Sequence, residues 1–279
     1  MSEDQAVMKW SEVQALPMPA PADKIAYGNG PQQFGELRLP AGKGPFPVVL
    51  LIHGGCWLNA FDYRYITRLG AALTELGAAT WTLEYRRLGD EGGGWPGTFL
   101  DVAQAADHVR ELAKIHPLDL SRVTTMGHSA GGHLALWLAA RGKLPKDSAL
   151  FSKDPQAIHA VIGLAAITDL KTYRIGAPGS CNASVDQLMG GTNAEQPARY
   201  AQASPRALLP LGVKQWLVQG VRDPIVSLDS VRAYVHAARV AGDKVQLLET
   251  AAAGHFETSV PGSNTFAHVQ QAVRQALGL

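Results

Sequence analysis

A serine set between glycines, nine histidines and a few well-placed carboxylates carry the chemistry this chain can offer. Gly127-His128-Ser129-Ala130-Gly131 is the only G-x-S-x-G in the sequence. It follows an apolar, β-prone stretch, Arg122-Val123-Thr124-Thr125-Met126, and precedes a helix-like run from Gly132 to Ala140. A sharp strand-to-helix turn of this kind lifts a serine hydroxyl out of the backbone above a sheet. Glycines flank it because the turn is strained and the helix must pack close. Such a hydroxyl becomes a nucleophile when a neighbouring base takes its proton. Fixed N–H donors must then receive the charge that develops on the attacked carbonyl oxygen.

His255, in Ala253-Gly254-His255-Phe256, follows the last apolar strand and precedes the last helix, where a loop can carry an imidazole over the serine turn. His108, His236 and His268 lie in helical patterns, and His116 sits in a link before Pro117. His128 and His133 are too near Ser129 in sequence to serve it, and His53 reads as a brace for a glycine loop. The chain order Ser, acid, His belongs to this turn type. It selects Asp223, in Gly220-Val221-Arg222-Asp223-Pro224, just past a strand ending at Gln219. A carboxylate there would hold the imidazole tautomer and stabilise the imidazolium. Asp169 is the rival acid, while Asp229 and Asp243 read as cap or loop residues. His53-Gly54-Gly55-Cys56-Trp57 directly follows the first buried strand. The backbone N–H groups of Gly55, Cys56 and Ala130 are the candidate oxyanion donors.

The elements that must position these groups are legible as an alternation. Apolar segments at 48–52, 78–83, 123–126, 160–166, 214–219 and 245–249 read as strands, and 62–76, 98–114, 132–140, 228–240 and 265–277 as helices. Continuous apolar strands are buried on both faces, as in a parallel sheet covered by helices. Alternation with helices gives an α/β, doubly wound, mostly parallel sheet with helices on both faces. Gln33 to Leu39 alternates like an edge strand. Residues 1–30, rich in Pro, Ala and Gly, read as an N-terminal arm, and 31–279 as a single domain. Residues 168–210, including Gly176-Ala177-Pro178-Gly179-Ser180, break the rhythm and read either as a small cap-like insertion or as surface helices with loops. Gly92 to Gly97 reads as a mobile rim loop.

The chain has 279 residues, 46% hydrophobic and 18% charged, and a formal net charge of +1. That balance, with no basic stripe, gives no signal for nucleic acid. No apolar run approaches the roughly 20 residues of a membrane span. Met1-Ser2-Glu3-Asp4-Gln5 lacks the basic region of a secretory signal, so a cytoplasmic location is expected. Cys56 and Cys181 make no metal-like or disulfide-framework spacing and read as two reduced thiols. An edge strand and late helices would suit a homodimer, though no residue demands one.

The constellation resembles the α/β-hydrolase superfamily over nearly all of the chain from residue 33. The similarity is closest to the carboxylesterase and arylformamidase-like branch, which carries H-G-G-x-W and G-H-S-A-G-G-H; here these stand at His53 to Trp57 and Gly127 to His133. The resemblance implies an α/β-hydrolase fold with nucleophile Ser129, base His255, acid Asp223, oxyanion donors Gly55, Cys56 and Ala130, and neither metal nor organic cofactor. Many relatives carry glycine or tyrosine where Cys56 stands, and a backbone N–H survives either change. Glu84-Tyr85-Arg86-Arg87 looks like the family's Asp-Tyr-Arg segment and reads as a structural brace. Trp57, Trp95, His128 and Phe256 are candidate lining of a substrate pocket. The expected activity is hydrolysis of small soluble carboxylic esters through an acyl-enzyme. Hydrolysis of N-formylkynurenine-type formamides is a close alternative, using the same three side chains. An inactive hydrolase fold serving as a binding protein is an alternative of another class, against which the intact Ser129, Asp223 and His255 argue.

Overall fold

The structure, a computed structural model, describes residues 6–176 and 180–279. The acidic Met1–Gln5 segment and the centre of the 176–180 loop lie outside the described residues. In chain order the elements are α1 (Trp10–Ala15), β1 (Asp23–Ala26), β2 (Phe34–Arg38), β3 (Phe46–Ile52), α2 (Thr67–Glu75), β4 (Ala79–Leu83), α3 (Gly97–Asp107), α4 (Val109–Leu112), β5 (Leu118–His128), α5 (Ala130–Ala140) and β6 (Ala160–Leu164). There follow α6 (Leu170–Tyr173), α7 (Ser184–Met189), α8 (Pro197–Ala203), β7 (Lys214–Gly220), α9 (Leu228–Val240), β8 (Val245–Thr250) and α10 (Phe266–Leu277), with short 3-10 turns between.

The strands form one sheet in the order β1-β2-β4-β3-β5-β6-β7-β8. β1 and β2 are antiparallel to their neighbours, and the six strands from β4 to β8 run parallel. β2 is therefore interior rather than the edge strand its alternation suggests. The edge is β1, four short and mostly exposed residues whose sequence carries little pattern. The helical stretch over 98–114 is two helices, α3 and α4, meeting at His108.

Alternation along β3 shows how the sheet is covered. Val48, Leu50 and Ile52 pack with Phe99 and Val102 of α3, Leu134 of α5 and Val231 of α9. Val49 and Leu51 face the other way, onto Leu69 and Leu73 of α2 and Val269 and Val273 of α10. Each such fully buried side chain contributes about 1.5–3 kcal/mol. α5 is the exception to amphipathicity: Ala130 to Leu138 are all buried, as a helix enclosed on every side requires. The apolar run after Ser129 thus follows from the helix's place beneath α3 and α8. β3 lies between β4 and β5, so chain order reverses there. That opens the crevice at the carboxyl ends of the strands in which parallel sheets bind ligands.

Candidate active site

Ser129 joins β5 to α5 with φ 58° and ψ −119°, a strained conformation for a residue with a side chain. Two close approaches explain the flanking glycines. A Cβ on Gly127 would lie 2.1 Å from the Gly131 carbonyl oxygen, and one on Gly131 would lie 2.2 Å from the Ile52 carbonyl oxygen at the end of β3. The turn is held from both sides. The Ser129 N–H donates to the carbonyl of Leu164 (2.9 Å), and its carbonyl accepts from the N–H groups of His133 and Ile167.

Asp223 follows β7 and His255 follows β8, so both sit at the same end of the sheet as Ser129. The His255 Nδ1 lies 2.8 Å from the Asp223 Oδ2. The same oxygen accepts from Gln219 Nε2 (3.0 Å), and Oδ1 accepts from the N–H groups of Ile225 (2.8 Å) and Val226 (2.9 Å). Burial of this carboxyl would raise its pKa. The hydrogen bond and charge of His255, with the two N–H donors, outweigh burial and hold it below the ordinary carboxylate value. With a neutral ring, Nδ1 is then the donor and Nε2 the free acceptor. Among the described residues no hydrogen bond joins Ser129 Oγ to His255. Both residues line one cavity of about 210 Å³.

The loop after β3 forms the opposite side of that cavity. Gly55 (φ 104°) and Cys56 (φ 55°) both turn through the left-handed region. A Cβ on Gly55 would stand 2.2 Å from the Cβ of Phe61. Among the described residues, the N–H groups of Gly55, Cys56 and Ala130 make no hydrogen bond. A buried network fixes the loop from behind. His53 spans the Gly54 carbonyl (2.7 Å) and Glu84 Oε1 (3.0 Å). Glu84 also accepts from Tyr85 N–H (2.8 Å) and from Arg87 Nη1 (3.2 Å), and the Tyr85 hydroxyl donates to the His53 carbonyl (2.8 Å). The Glu84 to Arg87 segment is thus a brace beneath the glycine loop.

A second chain of hydrogen bonds crosses the site. The Gly54 N–H donates to the Tyr65 hydroxyl (2.7 Å), which donates to His128 Nδ1 (2.8 Å). His128 Nε2–H then donates to the carbonyl of His255 (3.1 Å). Burial, and next the neighbouring charge of His255, push His128 down to about 3, so it is neutral over the working range and keeps this tautomer. Tyr65, carried just before α2, had no motif to announce it.

His128 and Phe256 line the cavity as anticipated for a pocket, whereas two tryptophans do not. Trp57 is fully buried and packs edge-on against His133, because the left-handed turn at Cys56 and Trp57 drives its ring into the core. Trp95 packs against Phe99, and its N–H donates to the Leu188 carbonyl of α7 (2.8 Å). The Gly92–Gly97 loop is therefore pinned. Asp169 caps α6 by accepting from Lys171 N–H (3.0 Å) and also accepts from the Ser204 hydroxyl (3.3 Å); among the described residues no hydrogen bond joins it to His255. The cysteines require correction. Cys56 and Cys181, 125 residues apart, form a disulfide with Cα atoms 5.0 Å apart, because Cys181, just before α7, lies against the glycine loop. Trp10, Phe61, Tyr65, Cys181 and Ile225 complete the lining; Trp10 comes from the N-terminal arm, where no spacing marks it. Among the described residues no group of three or more His, Cys, Asp or Glu side chains could hold a metal ion, and no helix is long and apolar enough to cross a membrane.

A family model, BD-FAE, matches residues 36–236. The chain is similar to Esterase LipQ of Mycobacterium tuberculosis (strain ATCC 25618 / H37Rv), with 25% identity over 197 residues, 70% of this chain and 46% of that protein. It thus spans about half the length of this relative. Among solved structures it is similar to a truncated carbohydrate esterase from gut microbiota (TM-score 0.79, 19% identity, covering 94% of this chain and 98% of that one). It is also similar to Esterase B from Lactobacillus rhamnosis (TM-score 0.76, 20% identity, 94% and 90%). A third is Est2, an esterase from Thermogutta terrifontis (TM-score 0.72, 19% identity, 95% and 95%). These similarities place the chain in the α/β-hydrolase fold.

Proposed function

Because the chain belongs to the BD-FAE family, a family of hydrolase-fold esterases, we propose that it is a serine hydrolase cleaving small carboxylic esters through an acyl-enzyme. One observation carries the reading. A strained serine shares a cavity with a histidine whose far nitrogen is held 2.8 Å from a buried carboxylate. Ser129 Oγ attacks the ester carbonyl carbon while His255 Nε2 takes its proton. The oxyanion is stabilised by the N–H groups of Gly55, Cys56 and Ala130, and Asp223 stabilises the imidazolium. Collapse of the tetrahedral adduct breaks the bond to the alcohol oxygen, which leaves with the proton from His255. Water then attacks the acyl-enzyme with His255 again as base, releasing the acid and restoring the serine. The apolar lining from Phe61, Ile225 and Phe256 suits a small uncharged acyl group.

The test is hydrolysis of p-nitrophenyl acetate and butyrate with parallel labelling by a fluorophosphonate probe. The native chain is expected to do both and Ser129→Ala neither. An unlabelled native protein, or undiminished hydrolysis by Ser129→Ala, contradicts the proposal. Faster turnover of N-formylkynurenine at matched concentration would move the assignment to the formamide.

A further inference from the structure

We propose that Trp10 limits the length of the acyl chain, as the replaceable part of a wall between the site cavity and an adjoining cleft; this rests on the esterase reading above. The cavity holding Ser129 and His255 measures about 210 Å³ and must hold the reacting carbonyl and the alcohol as well as the acyl chain. That accommodates a short acyl chain and little more. Next to it lies a cleft of about 420 Å³, lined also by Gln14, Met18, Ala60, Asp62, Arg64 and Arg68. Three side chains line both spaces and so divide them: Trp10, Phe61 and Tyr65. Their rings meet edge to face, with Trp10 5.3 Å from Phe61 and 5.3 Å from Tyr65, and Trp10 also leans on Phe256 at 5.7 Å.

The three are not equivalent. Phe61 packs against Gly55, and Tyr65 holds Gly54 and His128, so both position the reacting loops. Trp10 packs through its indole against these rings and the neighbouring core and, among the described residues, makes no side-chain hydrogen bond. It stands on α1, which is fastened independently of the indole. Val13 is fully buried, the Met8 N–H donates to Glu257 Oε1 (2.7 Å), and Arg68 donates to the carbonyls of Leu16 and Pro17. Removing the indole therefore joins the two spaces while leaving the helix docked. The acyl group is the portion this wall would meet. It stays bound through both half-reactions, whereas the alcohol must depart to solvent after the first.

The experiment compares kcat/KM for p-nitrophenyl acetate, butyrate and octanoate with the native chain, Trp10→Ala and Trp10→Leu. The native chain is expected to fall steeply beyond butyrate. Trp10→Ala is expected to raise the octanoate-to-acetate ratio about tenfold or more, with Trp10→Leu between. A native enzyme that takes octanoate as well as acetate overturns the inference whether or not the variants fold. So does an unchanged ratio in either variant, or a tenfold shift seen only when the alcohol is lengthened in a series of alkyl acetates. Hydrolysis that survives Ser129→Ala contradicts the esterase reading instead, so the two failures are told apart.

Discussion

In the proposed mechanism Ser129, His255 and Asp223 act on one proton and one carbonyl, so their losses should not add. Ser129→Ala and His255→Ala are each expected to lower kcat by about 10⁴-fold or more, and the double variant by little beyond either alone. Asp223→Asn should leave more activity than either, because Ile225 and Val226 still hold the side chain; steady-state kinetics on butyrate measures the order. These three were legible in the sequence because a turn type dictates their order along the chain. Tyr65 and Trp10 were not, since an aromatic in a helix or an arm shows its role only when the chain closes on itself. Two buried histidines make a separate statement about pH. Burial depresses His133 to about 4, and burial with the charge of His255 depresses His128 to about 3. Between those values and the ordinary 6.5 of an unfolded histidine, the unfolded chain binds protons that the folded chain refuses. The contribution of these two residues to stability is therefore complete well above pH 6.5 and falls as pH drops through it. His133→Gln is expected to lose about 1.5 kcal/mol less than the native chain between pH 6.5 and 5, read from denaturant unfolding at the two pH values.

At the scale of the element, the loop after β3 and the turn after β5 are rigid for different reasons. The turn is enforced by backbone crowding at Gly127 and Gly131, the loop by side chains packed beneath and above it. A methyl at Gly55 meets both a left-handed φ and Phe61. Gly55→Ala is expected to lower kcat by about 10²–10³-fold through displaced N–H donors, with a near-native circular dichroism spectrum; unchanged kcat would remove Gly55 from that role. The parallel strands were readable because burial on both faces leaves continuous apolar runs. β1 was not, because four exposed residues at an edge need no pattern. The break between α3 and α4 escaped because apolar periodicity continues through it from Val102 to Leu112. The pairing of Cys56 with Cys181 escaped because contact across 125 residues is a property of topology.

On the scale of the whole molecule, that cross-link ties the glycine loop to Cys181, just before α7, and closes a long loop of chain. Replacing both cysteines by serine is expected to lower the unfolding free energy by about 2–5 kcal/mol. Thiol titration of the native chain unfolded without reductant should find no free sulfhydryl at Cys56 or Cys181; two would contradict the bond. The region matched by the family spans 36–236, and the proposed base His255 and the proposed partition Trp10 both fall outside it. These two outliers face different histories. His255 is bound to Asp223 and, in the proposed mechanism, cannot drift without loss of turnover. Trp10 rides on a helix that contributes no strand to the sheet, so after gene duplication a single codon near the amino end could retune one copy toward fattier esters while the inherited chemistry stayed intact.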